Sequence, residues 1–226
     1  MTATIEEILG HRFANPGLLR EAMTHRSALA QGHSGAASSN ERLEFVGDRV
    51  LGLLMAEWLA ERYPEEPEGH LGRRLAHLVS QPVLSDVAHR LGFEDALFVS
   101  PGESRAGVRR RATVLADALE AAIGALYLDA GIEPARGFVR RAWLPAVERQ
   151  SAPPKDFKSA LQERLHALGK DLPQYEVLSH SGPPHAPSFT VSVCVDGRRG
   201  TGTAGSKRAA EQCAAEDLLR RLSSGS

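Results

Sequence analysis

Residues 40–53, NERLEFVGDRVLGL, set three carboxylates on one face of a helix. Glu41, Glu44 and Asp48 stand at i, i+3 and i+7, which at about 100° per residue keeps them within roughly 60° of arc. Asp117 and Glu120 repeat the i, i+3 spacing in LADALEAAIGALYLDAG, a segment with no other charge from Leu115 to Leu128. A helix so apolar is buried on most sides, and buried carboxylates without partners are costly. Cations are the usual remedy. With no His or Cys in either segment, the two faces predict an oxygen-only site for a hard divalent ion, Mg2+ or in its place Mn2+, rather than Zn2+. The first cluster also has a structural reading. Glu41 and Glu44 follow Asn40, an N-cap candidate, where the helix dipole favours negative charge, and Arg42 and Arg49 could pair with neighbours.

The elements that must carry these acids read as two domains. Helical patterns cover roughly 4–10, 16–30, 40–63, 69–91, 112–130 and 134–149, and no strand competes with them, so residues 1–149 are expected to be all-α. Pro153 and Pro154 end the last helix, giving a linker at 150–155. In residues 156–226 the helical ALQERLHAL leads into QYEVLSHSG, PSFTVSVCVDG and RRGTGTAG, three strand patterns with Gly-rich turns. SKRAAEQCAAEDLLRRL closes as an amphipathic helix. The expected fold is therefore multidomain: an all-α domain, then a small α+β domain of order α-β-β-β-α.

Bulk properties narrow the class only a little. The chain has 226 residues and a net charge of −1. The charge is uneven: residues 1–152 carry a net −3 and residues 153–226 a net +2. No apolar run approaches the length of a membrane span, and the acidic N-terminus is unlike a signal peptide. Cys194 and Cys213 lack metal spacing and are expected to be reduced, buried thiols of a cytoplasmic protein.

Taken together, NERLEFVGD, LADALEAAIGALYLD, THRS at 24–27 and PGESRAGVRRRATVLAD at 101–117 resemble ribonuclease III, the bacterial double-stranded RNA endonuclease. The match continues into the tail, where QE at 162–163, GPPHAPSF at 182–189 and SKRAAEQCAAE at 206–216 resemble a double-stranded RNA-binding domain. The resemblance implies a homodimer that hydrolyses duplex RNA to 5′-phosphate and 3′-hydroxyl ends, in rRNA and mRNA processing. Carried over by position, it implies metal ligation by Glu44, Asp48, Asp117 and Glu120. Glu41 and Glu68 are implied as further acids of the catalytic cleft, beside Asp48 and Glu120, and Asn40 as a polar residue at its head. Phe45 is implied at the dimer interface, although an ordinary core Phe would fit the same helix.

Duplex RNA displays 2′-hydroxyls in a shallow minor groove and phosphates across the major groove. Gln162, Glu163 and His185 are expected to serve the first, and Ser206, Lys207 and Arg208, at a helix start, the second. Two departures stand out. Glu211 occupies a position where the family often has a third basic residue, and Ala106-Gly107-Val108 replaces a more Gly-rich turn. Arg109, Arg110 and Arg111 after that turn read either as a phosphate-contacting loop or as a solvated run. The rival to an active nuclease is a non-catalytic duplex-RNA-binding protein that kept the fold.

Overall fold

In a computed structural model, described here for residues 4–29, 38–154, 156–182 and 187–223, the chain divides into two units, Met1–Pro154 and Lys155–Ser226. The first is built around the least polar helix, α9 (Ala112–Ala130), whose residues are buried almost without break from Val114 to Leu126. Alanine and leucine supply both high helix propensity and an apolar surface on every side. Around it stand α1 (Ile5–Leu9), α2 (Pro16–Ala22), α3 (Arg26–Leu29), α4 (Glu41–Arg62), α5 (Glu68–Leu78) and α6 (Gln81–Arg90). Short α7 (Phe93–Ala96) and α8 (Pro101–Arg105), a 3-10 turn (Val108–Arg110) and α10 (Ile132–Arg149) complete the unit.

Two expected helices are broken, each for a local reason. The 16–30 pattern splits at Met23–His25, because this backbone pairs with Phe98. Phe98 N–H donates to the Met23 carbonyl at 2.9 Å, and His25 N–H donates to the Phe98 carbonyl at 3.0 Å. The 69–91 pattern splits at Ser80 because Pro82 has no N–H to offer the carbonyl of Leu78. That carbonyl instead accepts the indole N–H of Trp143 at 2.9 Å, so the break also fastens α10 to α5. Arg74, only 1% exposed, forms a two-pronged pair with Glu66 at 2.7 and 2.8 Å and donates to the Gln150 carbonyl at 2.8 Å. Its guanidinium lies 3.9 Å from the centre of the Tyr63 ring. A buried cation is tolerable here because its donors and its face are both occupied.

The second unit matches its expected order: α11 (Phe157–Ala167), β1 (Gln174–Ser181), β2 (Ser188–Val195), β3 (Arg198–Ala204) and α12 (Lys207–Ser223). The strands form an antiparallel sheet in the order β1-β2-β3. Asp196 and Gly197, both at positive φ (49° and 74°), make the two-residue turn between β2 and β3, as the right-handed strand twist favours. Leu161, Leu165, Val191, Val193, Ala214 and Leu218 form its core. The free cysteines differ from expectation: Cys194 is half-buried, but Cys213 is exposed.

α4 and α9 cross in close contact. A Cβ placed on Gly47 would lie 1.7 Å from the Glu120 carbonyl oxygen, and one on Gly124 would lie 2.2 Å from that of Leu43. Both helices run backbone against backbone at this point. Gly47→Ala should therefore destabilise the protein by about 3 kcal/mol or more, beyond ordinary overpacking, because no side chain can rotate away. Gly137→Ala in α10 is the control, since its Cβ would meet only the flexible end of Arg141 at 3.4 Å. That change should stabilise slightly, by about 0.5 kcal/mol. Denaturant melts of the two variants check both signs.

Candidate metal centre and RNA-binding surface

Beside the Gly47–Gly124 crossing, Glu44, Asp117 and Glu120 each present a carboxylate oxygen, and these atoms lie within 4.8 Å of one another. Glu44 comes from the first turn of α4, the other two from successive turns of α9. Glu120 is 9% exposed; Glu44 and Asp117 are half-buried. Burial raises the pKa of Asp117, opposed by the charge of His25, and burial also raises that of Glu44, helped by Asp117 and Glu41. Glu120 is pushed up to about 7 by burial and by the charges of Glu44 and Asp117, with Arg49 opposing. Three carboxylates converging with no ammonium or guanidinium bonded to them among the described residues form an oxygen-only donor set that fits a small divalent cation.

A cavity of about 350 Å3 opens on this cluster, lined by Asn40, Glu41, Glu44 and Asp117 together with His25, Glu103 and Arg111. Glu41 is thus part of the same hollow, its carboxylate accepting the Ser39 hydroxyl at 2.9 Å. Asp48 is not among the three converging acids: it lies one turn past Glu44 and forms an ion pair with Arg49. Glu68 stands exposed at the start of α5, outside the cluster. Asn40 sits at the cap position but makes no side-chain cap, because its backbone is already helical (φ −69°, ψ −10°) where a capping side chain needs an extended residue. Of the three consecutive arginines, Arg111 lines the acidic hollow, whereas Arg109 lines a separate one with α1 and α2 residues.

The sequence reading missed the tether that holds this hollow. The Thr24 carbonyl accepts Asn40 N–H at 3.0 Å, which fixes the head of α4. The Ser27 hydroxyl oxygen accepts Ser100 N–H at 3.1 Å, and the imidazole of His25 lies 3.2 Å from Glu103. Short polar residues in THRS and in SPGES were the available signal, but Ser27 and Ser100, like His25 and Glu103, are more than 70 positions apart. His11 bonds Asp129 at 2.7 Å. Asp129 also accepts N–H bonds from Ala14 and Asn15, both at 2.9 Å, and pins the start of α2 to the end of α9.

Phe45 is 64% exposed, which removes the core reading. Its ring lies under the Arg49 guanidinium at 4.9 Å and borders a hollow with Leu18, Val46 and Leu128. In the second unit Gln162, Lys207 and Arg208 line one concave surface, while Glu163 is exposed beside it. Ser206 accepts Ala209 N–H at 3.2 Å, capping α12 where the two cations project. Glu211 is held by Lys158 at 2.5 Å, so this departure from the family pattern also occupies a neighbouring cation. His185 lies outside the described residues.

The raised pKa of Glu120 carries a sign. The folded residue keeps its proton to about pH 7, whereas an unfolded Glu loses it near 4.5. The folded state therefore binds more protons across that window, and stability without a divalent ion falls as pH rises through it. The loss is on the order of 3 kcal/mol. In EDTA the melting temperature should fall more steeply between pH 5.5 and 8 for wild type than for Glu120→Gln, and Mg2+ should flatten the wild-type curve. Parallel curves would assign the effect to other groups.

Comparison with known proteins agrees with this geometry. Residues 15–147 match the Ribonuclease-III-like family and residues 157–222 the double-stranded RNA binding motif. Ribonuclease 3 of Rhodopseudomonas palustris is 42% identical over 220 residues, covering 97% of this chain and 80% of the relative. Ribonuclease 3 of Cereibacter sphaeroides is 44% identical over 218 residues, covering 96% and 93%. The nuclease domain of ribonuclease III from Campylobacter jejuni superposes with a TM-score of 0.56 at 36% identity, over 61% of this chain and 92% of that one. With both domains matched in order along nearly its whole length, the chain belongs to the ribonuclease III family.

Proposed function

We propose that this protein is a Mg2+-dependent endoribonuclease that hydrolyses double-stranded RNA to 5′-phosphate and 3′-hydroxyl ends. It acts as a homodimer in the cytoplasm, in rRNA and mRNA processing. The observation that carries the reading is the convergence of Glu44, Asp117 and Glu120 within 4.8 Å, in a chain whose other unit is a duplex-RNA-binding motif. Family membership supports endoribonuclease activity on duplex RNA. A binder alone would have no use for three acids whose mutual repulsion costs stability.

Glu44, Asp117 and Glu120 hold the cation, and Asp48, one turn along α4, is the fourth carboxylate within the same helix face. Mg2+ bound there would supply an activated water and neutralise charge on the phosphate and the departing oxygen; Mn2+ offers the same chemistry. The chain supplies the rest. Burial keeps Glu120 preorganised, Glu41 and Glu68 extend the acidic wall, and Arg111 balances charge at the rim of the hollow. On the tail, Lys207 and Arg208 contact phosphates while Gln162, Glu163 and His185 address the minor groove. Phe45, exposed and aromatic, anchors a second copy of the chain.

Two measurements test this reading. Glu120→Ala should lower duplex-RNA cleavage by roughly 100-fold or more, while gel-shift affinity in Ca2+ stays near that of wild type because the tail holds the duplex. Full activity in the variant would refute the metal role. Separately, Phe45→Ala should weaken self-association by on the order of 2 kcal/mol, read by sedimentation across a concentration series. A dimer of unchanged affinity would put the interface elsewhere.

A further inference from the structure

His25 lies on the wall of the acidic hollow with Glu44 and Asp117, yet it is neither an acid nor a phosphate-binding cation by sequence. Its ring is held from one side. Ser27 N–H donates to Nδ1 at 3.3 Å, and the Ser27 hydroxyl lies 2.9 Å from the same nitrogen. That hydroxyl oxygen already accepts Ser100 N–H at 3.1 Å, so its own hydrogen is free to point at Nδ1. Two donors converging on Nδ1 keep a lone pair there and place the ring hydrogen on Nε2. Nε2 has no hydrogen-bond partner among the described residues and is not sealed from solvent.

Glu103 completes the arrangement. Its Oε2 lies 3.2 Å from Nδ1 and is buried without a hydrogen bond of its own. With Nδ1 serving as acceptor for Ser27, Glu103 packs against the same edge of the ring and holds it in the wall of the hollow. The backbone of His25 is equally fixed, since its N–H donates to the Phe98 carbonyl at 3.0 Å while Thr24, one residue before, holds Asn40 at the head of α4. A donor so oriented, set beside acids that cannot donate when ionised, suits the one ligand that enters this hollow carrying spare acceptors.

We propose that His25 orients the scissile phosphate of duplex RNA, donating from Nε2–H to a non-bridging phosphate oxygen while the Ser27–Ser100–Glu103 cluster fixes the ring. The assignment rests on the endonuclease reading above. It differs from that reading in giving a ring N–H donor on the α2–α3 connection a direct part in placing the substrate.

Asparagine and glutamine substitutions separate this role from a structural latch. The shorter amide of His25→Asn would retain an acceptor near the place of Nδ1 and lose the donor at Nε2. The longer amide of His25→Gln would retain a donor near the place of Nε2 and lose the acceptor. Full-length wild type, His25→Asn and His25→Gln are compared by single-turnover cleavage of duplex RNA at saturating Mg2+, gel shift in Ca2+, and thermal melting. His25→Asn should melt close to wild type and bind RNA normally, yet cleave roughly 30-fold more slowly. His25→Gln should recover to within roughly fivefold of wild type, even at some loss of melting temperature. An active His25→Asn with an inert His25→Gln would make the residue a latch at Nδ1 and overturn the proposal, as would loss of rate in both variants in step with loss of stability. Wild type inert on duplex RNA would overturn the endonuclease reading itself, and this assignment with it.

Discussion

The approach of α4 to α9 at Gly47 and Gly124 is the constraint on which the site depends. Either glycine, given a Cβ, would drive it into a backbone carbonyl of the other helix, at 1.7 and 2.2 Å. Glu44 precedes Gly47 by one turn, and Glu120 precedes Gly124 by one turn. Helices that touch through their backbones must bring side chains one turn away into the same small space. The acids meet because the glycines let the helices meet. The arrangement is expensive: mid-helix glycine costs about 0.5–1 kcal/mol at each position, and burial with like charge pushes Glu120 up to about 7. Both costs fall on the fold, and a divalent cation bound there would relieve the second.

What keeps the crossing from relaxing is the packing around it. Trp143, fully buried, donates to Leu78 and joins α10 to α5 where Pro82 has broken the helix. Arg74 closes the far end through Glu66, Tyr63 and Gln150. On the open side, the segment from Thr24 to Ser27 ties the head of α4 to residues 98–103 through backbone and serine bonds. These ties are short and mostly neutral, so they hold the walls of an acidic hollow without supplying charge that would compete for its ligand.

Much of this was legible in the residues. The i, i+3 acids on an apolar helix announced Asp117 and Glu120 as buried and in need of a partner, and the strand periodicity of residues 174–204 gave the tail its topology. Charge spacing along one helix cannot say which acids converge, however. Asp48 shares the face of Glu44 but pairs with Arg49, and Glu68 stands apart on another helix, because convergence is set by the crossing point rather than by the period. The glycines at that point carry no chemistry of their own and were passed over. The helix break at Thr24 was hidden because the partner that stabilises it, Phe98, is distant in the chain, whereas the break at Ser80 was signalled locally by Pro82 and passed over within a continuous helical period. Phe45 lay between an interface and a core reading until its exposure separated them.

That the α4–α9 crossing builds one carboxylate cluster able to hold a divalent cation is open to direct measurement. Titration of the metal-free protein with Mn2+, following free ion by electron paramagnetic resonance, addresses it without reference to RNA or catalysis. Wild type should take up Mn2+ at a saturable site, and Glu44→Gln combined with Asp117→Asn should remove the tightest class of binding while the protein stays folded. Undiminished tight binding in the folded double variant would contradict it.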